Sequence, residues 1–280
     1  MAEYLVNDTD MIKVADAIRA KGETSAQLSF PDGMVQAVSD ISAAGIPIVG
    51  SWDVSAAQDG SITATLYELA TNMYWLDIAG SGNLIDYASR TERPFHAYRT
   101  KIYAVSLPAT ITKIGENFFH TFKKASFVNC NFNGVTEVSK DAFNSCYYLV
   151  FNPNSNALTT VGTDSFTSCI YAVINNGFEN VLNFPVGSSL GVFTGMSAPK
   201  NFLKIQTVGG DSGTVFNNIR DKEFNNIVFG SEGNPVTSIS SRAFQKCEQV
   251  TSITVYTENG MELPNAPFGA TNATVTFLPA

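Results

Sequence analysis

Few residues in this chain could do covalent chemistry, and their spacing argues against most of it. Gly210-Asp211-Ser212-Gly213 spells the core of a serine-protease nucleophile motif. Such a serine needs a histidine base within hydrogen-bond reach. The chain has two histidines, His96 beside Pro94-Phe95 and His120 just after a phenylalanine pair. Neither has the Ala-Ala-His-Cys setting of a protease base, and Gly-Asp-Ser-Gly is ordinary loop composition. Gly80-Ser81-Gly82 lacks the Gly-Lys-Ser/Thr or third glycine of a phosphate loop and opens no helix, so it is expected to be a hairpin turn. No carboxylate pair stands out. A glycosidase-type acid and base would have to be assembled from distant segments.

The four cysteines give no metal site either. Zinc needs closely paired ligands, and even the nearest two, Cys130 and Cys146, are too widely separated along the chain to make such a pair. Cys146, Cys169 and Cys247 each stand at the third position after a phenylalanine, the place that Phe122 takes after Phe119. A position that recurs in this way reads as a stacked core ladder in which the thiol acts as a small buried hydrophobe. No cofactor is expected.

That ladder belongs to a larger pattern, apolar-x-x-apolar-[GS]-x-x-[AFS]-Phe. It reads Ile111, Ile114, Phe118, Phe119; then Val135, Val138, Ala142, Phe143; then Leu158, Val161, Ser165, Phe166; and last Val236, Ile239, Ala243, Phe244. The anchors Phe119, Phe143 and Phe166 follow one another at a nearly constant interval. A period of that size, within the range of 20 to 50 that marks repeat architectures, belongs to units that cannot bury their apolar side alone and must stack into a solenoid. After each anchor a strand is expected at +6, +9 and +11: Val250, Ile253 and Val255 from Phe244, and Ala125, Val128 and Cys130 from Phe119. The same offsets from Phe143 and Phe166 meet Asn152, Asn154, Asn175 and Gly177. There Val150, Phe151, Val173 and Ile174 allow a slip by one, which would exchange the two faces.

The unit from Val236 to Val255, VTSISSRAFQKCEQVTSITV, resembles the BspA-like leucine-rich repeat of bacterial and phage surface proteins. The resemblance runs from about Ile102 to the C-terminus, with degenerate copies between Gly177 and Gly230. It implies a short strand on one side of a rod, a helical turn from the Ile-Gly-x-x-Ala-Phe segment on the other, and binding rather than catalysis. Tyr74 to Tyr87 resembles the β cap that precedes the first repeat in that family. On this reading Trp75, Tyr87 and Phe95 are cap core, the alternative being a ligand platform. Ile102, Val105 and Leu107 form the first repeat strand; the segments 201–207 and 224–230 are further strands one repeat period apart, and 273–280 is a closing strand.

Residues 1–44 differ in kind. Met11, Val14, Ala15 and Ile18 make one helical stripe, and Met34, Val35, Val38 and Ile41 a second, with Pro31 at a first-turn position. SAAGIPIVG then reads as a linker. The helices either cap the solenoid or form a docking module. TDMIKVADAIRAKG followed by LSFPDGMVQAVSDI resembles the opening of tail-associated proteins of phages and prophages, which implies attachment or assembly. The expected domains are therefore 1–44 for a helical attachment module, 51–100 for a β cap and 101–280 for the solenoid.

Composition narrows the partners. The chain has 280 residues, 44% of them hydrophobic, with 15% charged and a net charge of −8. Nucleic acid needs clustered Lys and Arg to neutralise phosphate, and only Lys123-Lys124 is clustered. The opening MAEYLVNDTD does not read as a secretory signal, and no run reaches about 18 apolar residues. The expectation is cytoplasmic synthesis of a non-enzymatic binding protein of a phage or phage-like tail, directed at a glycan or protein on a bacterial surface, with homo-oligomerisation open to it. The alternatives are a bacterial surface or secreted adhesin and a surface polysaccharide hydrolase. The expected ligand column is the pair of residues after each F-x-x-C position: Lys123-Lys124, Tyr147-Tyr148, Ile170-Tyr171 and Glu248-Gln249. Tyr147, Tyr148 and Tyr171 would offer apolar faces with hydroxyl handles, or Tyr148 and Tyr171 would merely form a cross-strand aromatic ladder.

Overall fold

The computed structural model describes residues 45–151, 157–169, 173–174, 178–184, 201–209, 214–216 and 224–280. The expected helices of residues 1–44 and the Gly210–Gly213 motif lie outside them. Alternation builds the first sheet, from β1 (Ile48–Asp53), β2 (Ile62–Ala70) and β3 (Met73–Gly80). Ile62, Ala64 and Leu66 of β2 and Tyr74, Leu76 and Ile78 of β3 are buried while their neighbours are not, the period-2 signature of a sheet with one covered face. Both pairings, β1–β2 and β2–β3, are antiparallel.

After β3 the chain does not fold back into the expected hairpin. Gly80 and Gly82 adopt φ of 120° and 110°, and β4 (Gly82–Asn83) opens a second sheet. β5 (Ile102–Leu107) pairs in parallel with β3, and β6 (Ile111–Ile114) pairs in parallel with β4. Leu84 forms an isolated bridge to Ser55 and its N–H donates to Lys113 O at 3.0 Å, while β4 itself ends at Asn83. A side chain at Gly80 would meet the Ser61 carbonyl at 2.0 Å, which is why this corner needs glycine.

Later turns repeat the same two-sheet path. They supply β7 (Ser126–Cys130) with β8 (Glu137–Val138), β9 (Val150–Phe151) with β10 (Thr160–Val161), and β11 (Val173–Ile174) with β12 (Asn183–Phe184). Then come β13 (Asn201–Phe202) with β14 (Thr207–Val208), β15 (Asn226–Phe229) with β16 (Ser238–Ile239), β17 (Ser252–Thr257) and β18 (Thr274–Pro279). On one side β3–β5–β7, β9–β11 and β13–β15–β17–β18 pair in parallel; on the other β4–β6–β8–β10 and β12–β14–β16 do the same. The chain is a β-solenoid.

A third wall is made by the anchor segments, which form tight turns rather than the expected helical turn. Asn117, Asp141 and Asp164, two positions before an anchor, have φ of 58°, 56° and 55°; Thr121, Ser145, Ser168 and Lys246, two after, have φ of 67°, 62°, 60° and 62°. Left-handed residues at that spacing stop a helix from propagating. The freed backbone groups bond between turns instead. Phe119 N–H donates to Ala142 O at 2.9 Å, Phe143 N–H to Ser165 O at 2.8 Å and Thr121 N–H to Asn144 O at 2.7 Å.

The core is a column of phenylalanines. Phe119 stacks on Phe143 (5.4 Å between ring centres, 13° between planes) and Phe143 on Phe166 (5.7 Å, 11°). Phe244 stacks on Phe216 (5.1 Å, 16°), an anchor the sequence pattern misses. Phe178, Phe184 and Phe202 bridge the two stacks. Val181 with Phe184, and Ile205 with Val208, extend the buried apolar-x-x-apolar rows through the degenerate region.

Two register expectations change. In the early turns the buried strand residues are Phe127 and Phe151, at +8 rather than +9 from the anchor, and Cys130 is only half-buried, packed against the core edge. The slip by one is therefore real, because two large rings compete for the inner face better than Val150 or Asn152 would. Further on, Asn201 pairs with Val228 and Phe202 with Phe229, a longer step along the chain than the expected period. Strand β18 pairs along β17 from Ser252↔Thr274 to Thr257↔Pro279, as a closing strand should.

Candidate functional site

Among the described residues, the positions after the F-x-x-C site sit in turns that lead into strands of the first column. Lys123 and Lys124 precede β7, and Tyr147 and Tyr148 precede β9. Stacking brings Lys123 against Tyr147, while Lys124 meets Tyr103 instead. The Lys123 ammonium lies 5.3 Å from the Tyr147 ring centre. Lys124 lies 5.1 Å over the Tyr103 ring and donates to its hydroxyl at 3.0 Å. Tyr147 is half-buried with one face taken by this cation, while Tyr148 is half exposed and carries the outward surface. Tyr171 lies outside the described residues. The sequence column misses Tyr103, whose place in β5 gives it no repeat signature of its own.

What results is a ridge of two cation–aromatic pairs. Such a pair contributes about 0.5–1 kcal/mol at an exposed site. The ridge can offer hydrogen bonds to a sugar or peptide and attraction to an acidic group on it.

Elsewhere, side chains serve the ladder. The Cys146 thiol donates to the Phe119 carbonyl at 3.0 Å, Cys169 to Phe143 O at 3.1 Å and Cys247 to Phe216 O at 2.7 Å. Each cysteine thus joins its own turn to the anchor of the turn before, which a plain hydrophobe cannot do. Burial pushes the Cys146 thiol up and that of Cys169 to about 12, so both stay protonated donors. Threonines do similar work, Thr136 Oγ1 donating to Thr112 O at 3.0 Å and Thr159 Oγ1 to Thr136 O at 3.2 Å. Among the described residues no group of three metal-ligating side chains gathers.

Arg93 is the buried charge that sequence reading misses, with 2% of its surface exposed. Its Nη1 donates to Phe118 O at 2.9 Å, Nε donates to Arg90 O at 2.8 Å, and the guanidinium lies 5.4 Å over the Phe122 ring. The matching carbonyls of Ala142 and Ser165 accept from the backbone of the preceding turn. Arg93 supplies that donor at the start of the series. Burial lowers its pKa to about 10, which leaves it charged at neutral pH.

His120 is held in the turn after the Phe119 anchor, 3.2 Å from Asn117 Oδ1. Desolvation, partly offset by Asp141 and reinforced by Arg93 and Arg90, lowers its pKa from 6.5 to about 4. The unfolded chain therefore takes up a proton that the folded chain refuses, and this part of the stability is lost as pH falls from 6.5 to about 4. Thermal melts across that window should show a decline that His120→Gln reduces; an unchanged slope would place the linkage elsewhere.

The sheet bearing Tyr74 also departs from expectation. Tyr87 and Phe95 are core, but Trp75 is half-buried on the face opposite to the buried Tyr74 and Leu76, stacked on Tyr67. A residue's face in a strand follows its parity, and Trp75 has the outer one.

The repeat pattern is matched by a known family. The BspA type leucine rich repeat region model matches six copies over residues 92–182 and 214–279. No curated protein matches the sequence. Among solved structures, a leucine-rich repeat protein from Eubacterium ventriosum is 16% identical, with 81% of this chain and 78% of that one covered and a TM-score of 0.36. A leucine rich cell surface protein from Faecalibacterium prausnitzii is also 16% identical, covering 77% of this chain and 57% of that one, with a TM-score of 0.36. With the anchor column, the inter-turn ladders and the family match over more than half its length, this chain belongs to the BspA-type leucine-rich-repeat family.

Proposed function

We propose that the chain is a non-enzymatic binding protein of a phage or phage-like tail that recognises a glycan or protein on a bacterial surface through the ridge at Lys123, Tyr147 and Tyr148. The observation that carries recognition is that ridge, in which repeat stacking sets aromatic and cationic groups side by side on a rigid scaffold. The tail assignment rests on the resemblance of TDMIKVADAIRAKG and LSFPDGMVQAVSDI to tail-associated openings. Residues 1–44 then attach the chain to other assembly proteins or to further copies of itself. The antiparallel pair β2–β3 acts as the β cap, covering apolar surface and a strand edge that the first repeat would otherwise expose.

A bacterial surface adhesin is the second reading, favoured by the family match alone. Antibody labelling in electron microscopy separates the two. Particles released by lysis should carry label, and deleting residues 1–41 should remove it while leaving the unfolding transition of the repeats in place. Label on intact cells and none on particles would establish the adhesin.

A further inference from the structure

The outer face of the first sheet carries an aromatic pair that the core does not use. Cross-strand register sets its residues in two rows. One runs Tyr67, Trp75, Ala104, Ser126; the other runs Ser51, Thr65, Asp77, Ser106, Asn129. Ser51, Ser126 and Asn129 are exposed and the others half-buried. The Tyr67 and Trp75 rings stack with centres 4.8 Å apart and planes 23° from parallel. The indole N–H donates to Ser106 Oγ at 2.9 Å, and that hydroxyl donates in turn to the Asp77 carboxylate. Ser51 and Thr65 share a hydrogen bond of 3.1 Å.

We propose that this face is a binding site for a neutral glycan of hexose or N-acetylhexosamine units. A saccharide ring has an apolar C–H face and a rim of hydroxyls, so it needs an aromatic surface next to groups that both donate and accept. Here the indole and phenol supply the first, and the row of hydroxyls, carboxylate and amide supplies the second at the strand spacing of about 4.8 Å. The Trp75–Ser106–Asp77 chain holds the indole in place before a ligand arrives, which lowers the ordering cost of binding. Charge narrows the class of glycan. The two rows contain the Asp77 carboxylate and no lysine or arginine, and Lys124 at their border is engaged with the Tyr103 ring and hydroxyl, so a neutral polymer suits the face better than a phosphate- or uronate-bearing one. This site shares no residue with the Lys123–Tyr147 ridge, and either can fail without the other.

Tryptophan emission reads it out on the full chain. There are two tryptophans, and Trp52 is partly buried edge-on to Phe95 at 6.1 Å, so Trp52→Phe isolates Trp75. Titration with cellohexaose, chitohexaose and mannohexaose should shift the emission for at least one sugar with a Kd of about 1 mM or tighter. Polygalacturonate should have no effect. Tyr67→Ser and Asp77→Asn should each weaken binding by about tenfold with an unchanged thermal transition, and Trp75→Ala, followed by calorimetry, should abolish it. The proposal is overturned if no neutral sugar binds, if polygalacturonate binds better, or if a folded Tyr67→Ser variant binds as the parent does, which would leave a cross-strand packing pair only.

Discussion

Phe143→Ala lowers the unfolding free energy by about 3–5 kcal/mol, the cost of a large-to-small change at a fully buried aromatic. The size follows from what surrounds the ring. Phe143 is the middle member of the stack, 5.4 Å from Phe119 and 5.7 Å from Phe166, and Phe127, Phe132 and Phe151 meet it at 5.8, 5.8 and 5.9 Å. Removing it opens a cavity between two turns whose backbones are tied by the Phe143 N–H to Ser165 O bond and the Cys169 thiol to Phe143 O bond. Those ties keep the turns at their spacing, so the cavity cannot collapse. Denaturant unfolding followed by circular dichroism measures the loss. A value below about 1 kcal/mol, the low end for a core deletion, would show that this ring does not support the column.

Changing Tyr147, Tyr148 and Tyr171 together to serine should abolish attachment to the target bacterial surface and leave unfolding cooperative. Tyr148 is 50% exposed, so replacing it removes little from the core. Tyr147 loses its contact with Lys123, and an exposed cation–aromatic pair contributes about 0.5–1 kcal/mol, too little to unfold the solenoid. The loss of binding is larger because recognition energy concentrates in a few aromatic anchors. Pull-down on cells, with melting curves run alongside, separates the two effects. Full binding by the triple variant would eliminate the ridge as the contact and turn attention to the Trp75 face.

Much of this molecule is written in its sequence. The anchors Phe119, Phe143, Phe166 and Phe244 and the cysteines that follow three of them recur because each turn meets the same two neighbours, and identical neighbours demand identical side chains. The family and the β-solenoid follow from that recurrence. Where turns are not identical, the signal fades. Phe216 escapes the pattern because its turn is longer, and the pairing of Asn201 with Val228 steps past the repeat period there. Phe127 and Phe151 displace the expected strand face because ring volume, settled only in packing, outweighs the alternation pattern of a short strand. Arg93 could not be read as buried, since its place depends on the distant Phe118 carbonyl that the backbone of the preceding turn leaves to it. The same holds for the candidate sites. Sequence placed Lys123, Tyr147 and Tyr148 in one column by counting, whereas the meeting of Lys124 with Tyr103 and of Trp75 with Tyr67, Ser106 and Asp77 required strands to pair in register, and register is a property of the folded sheet.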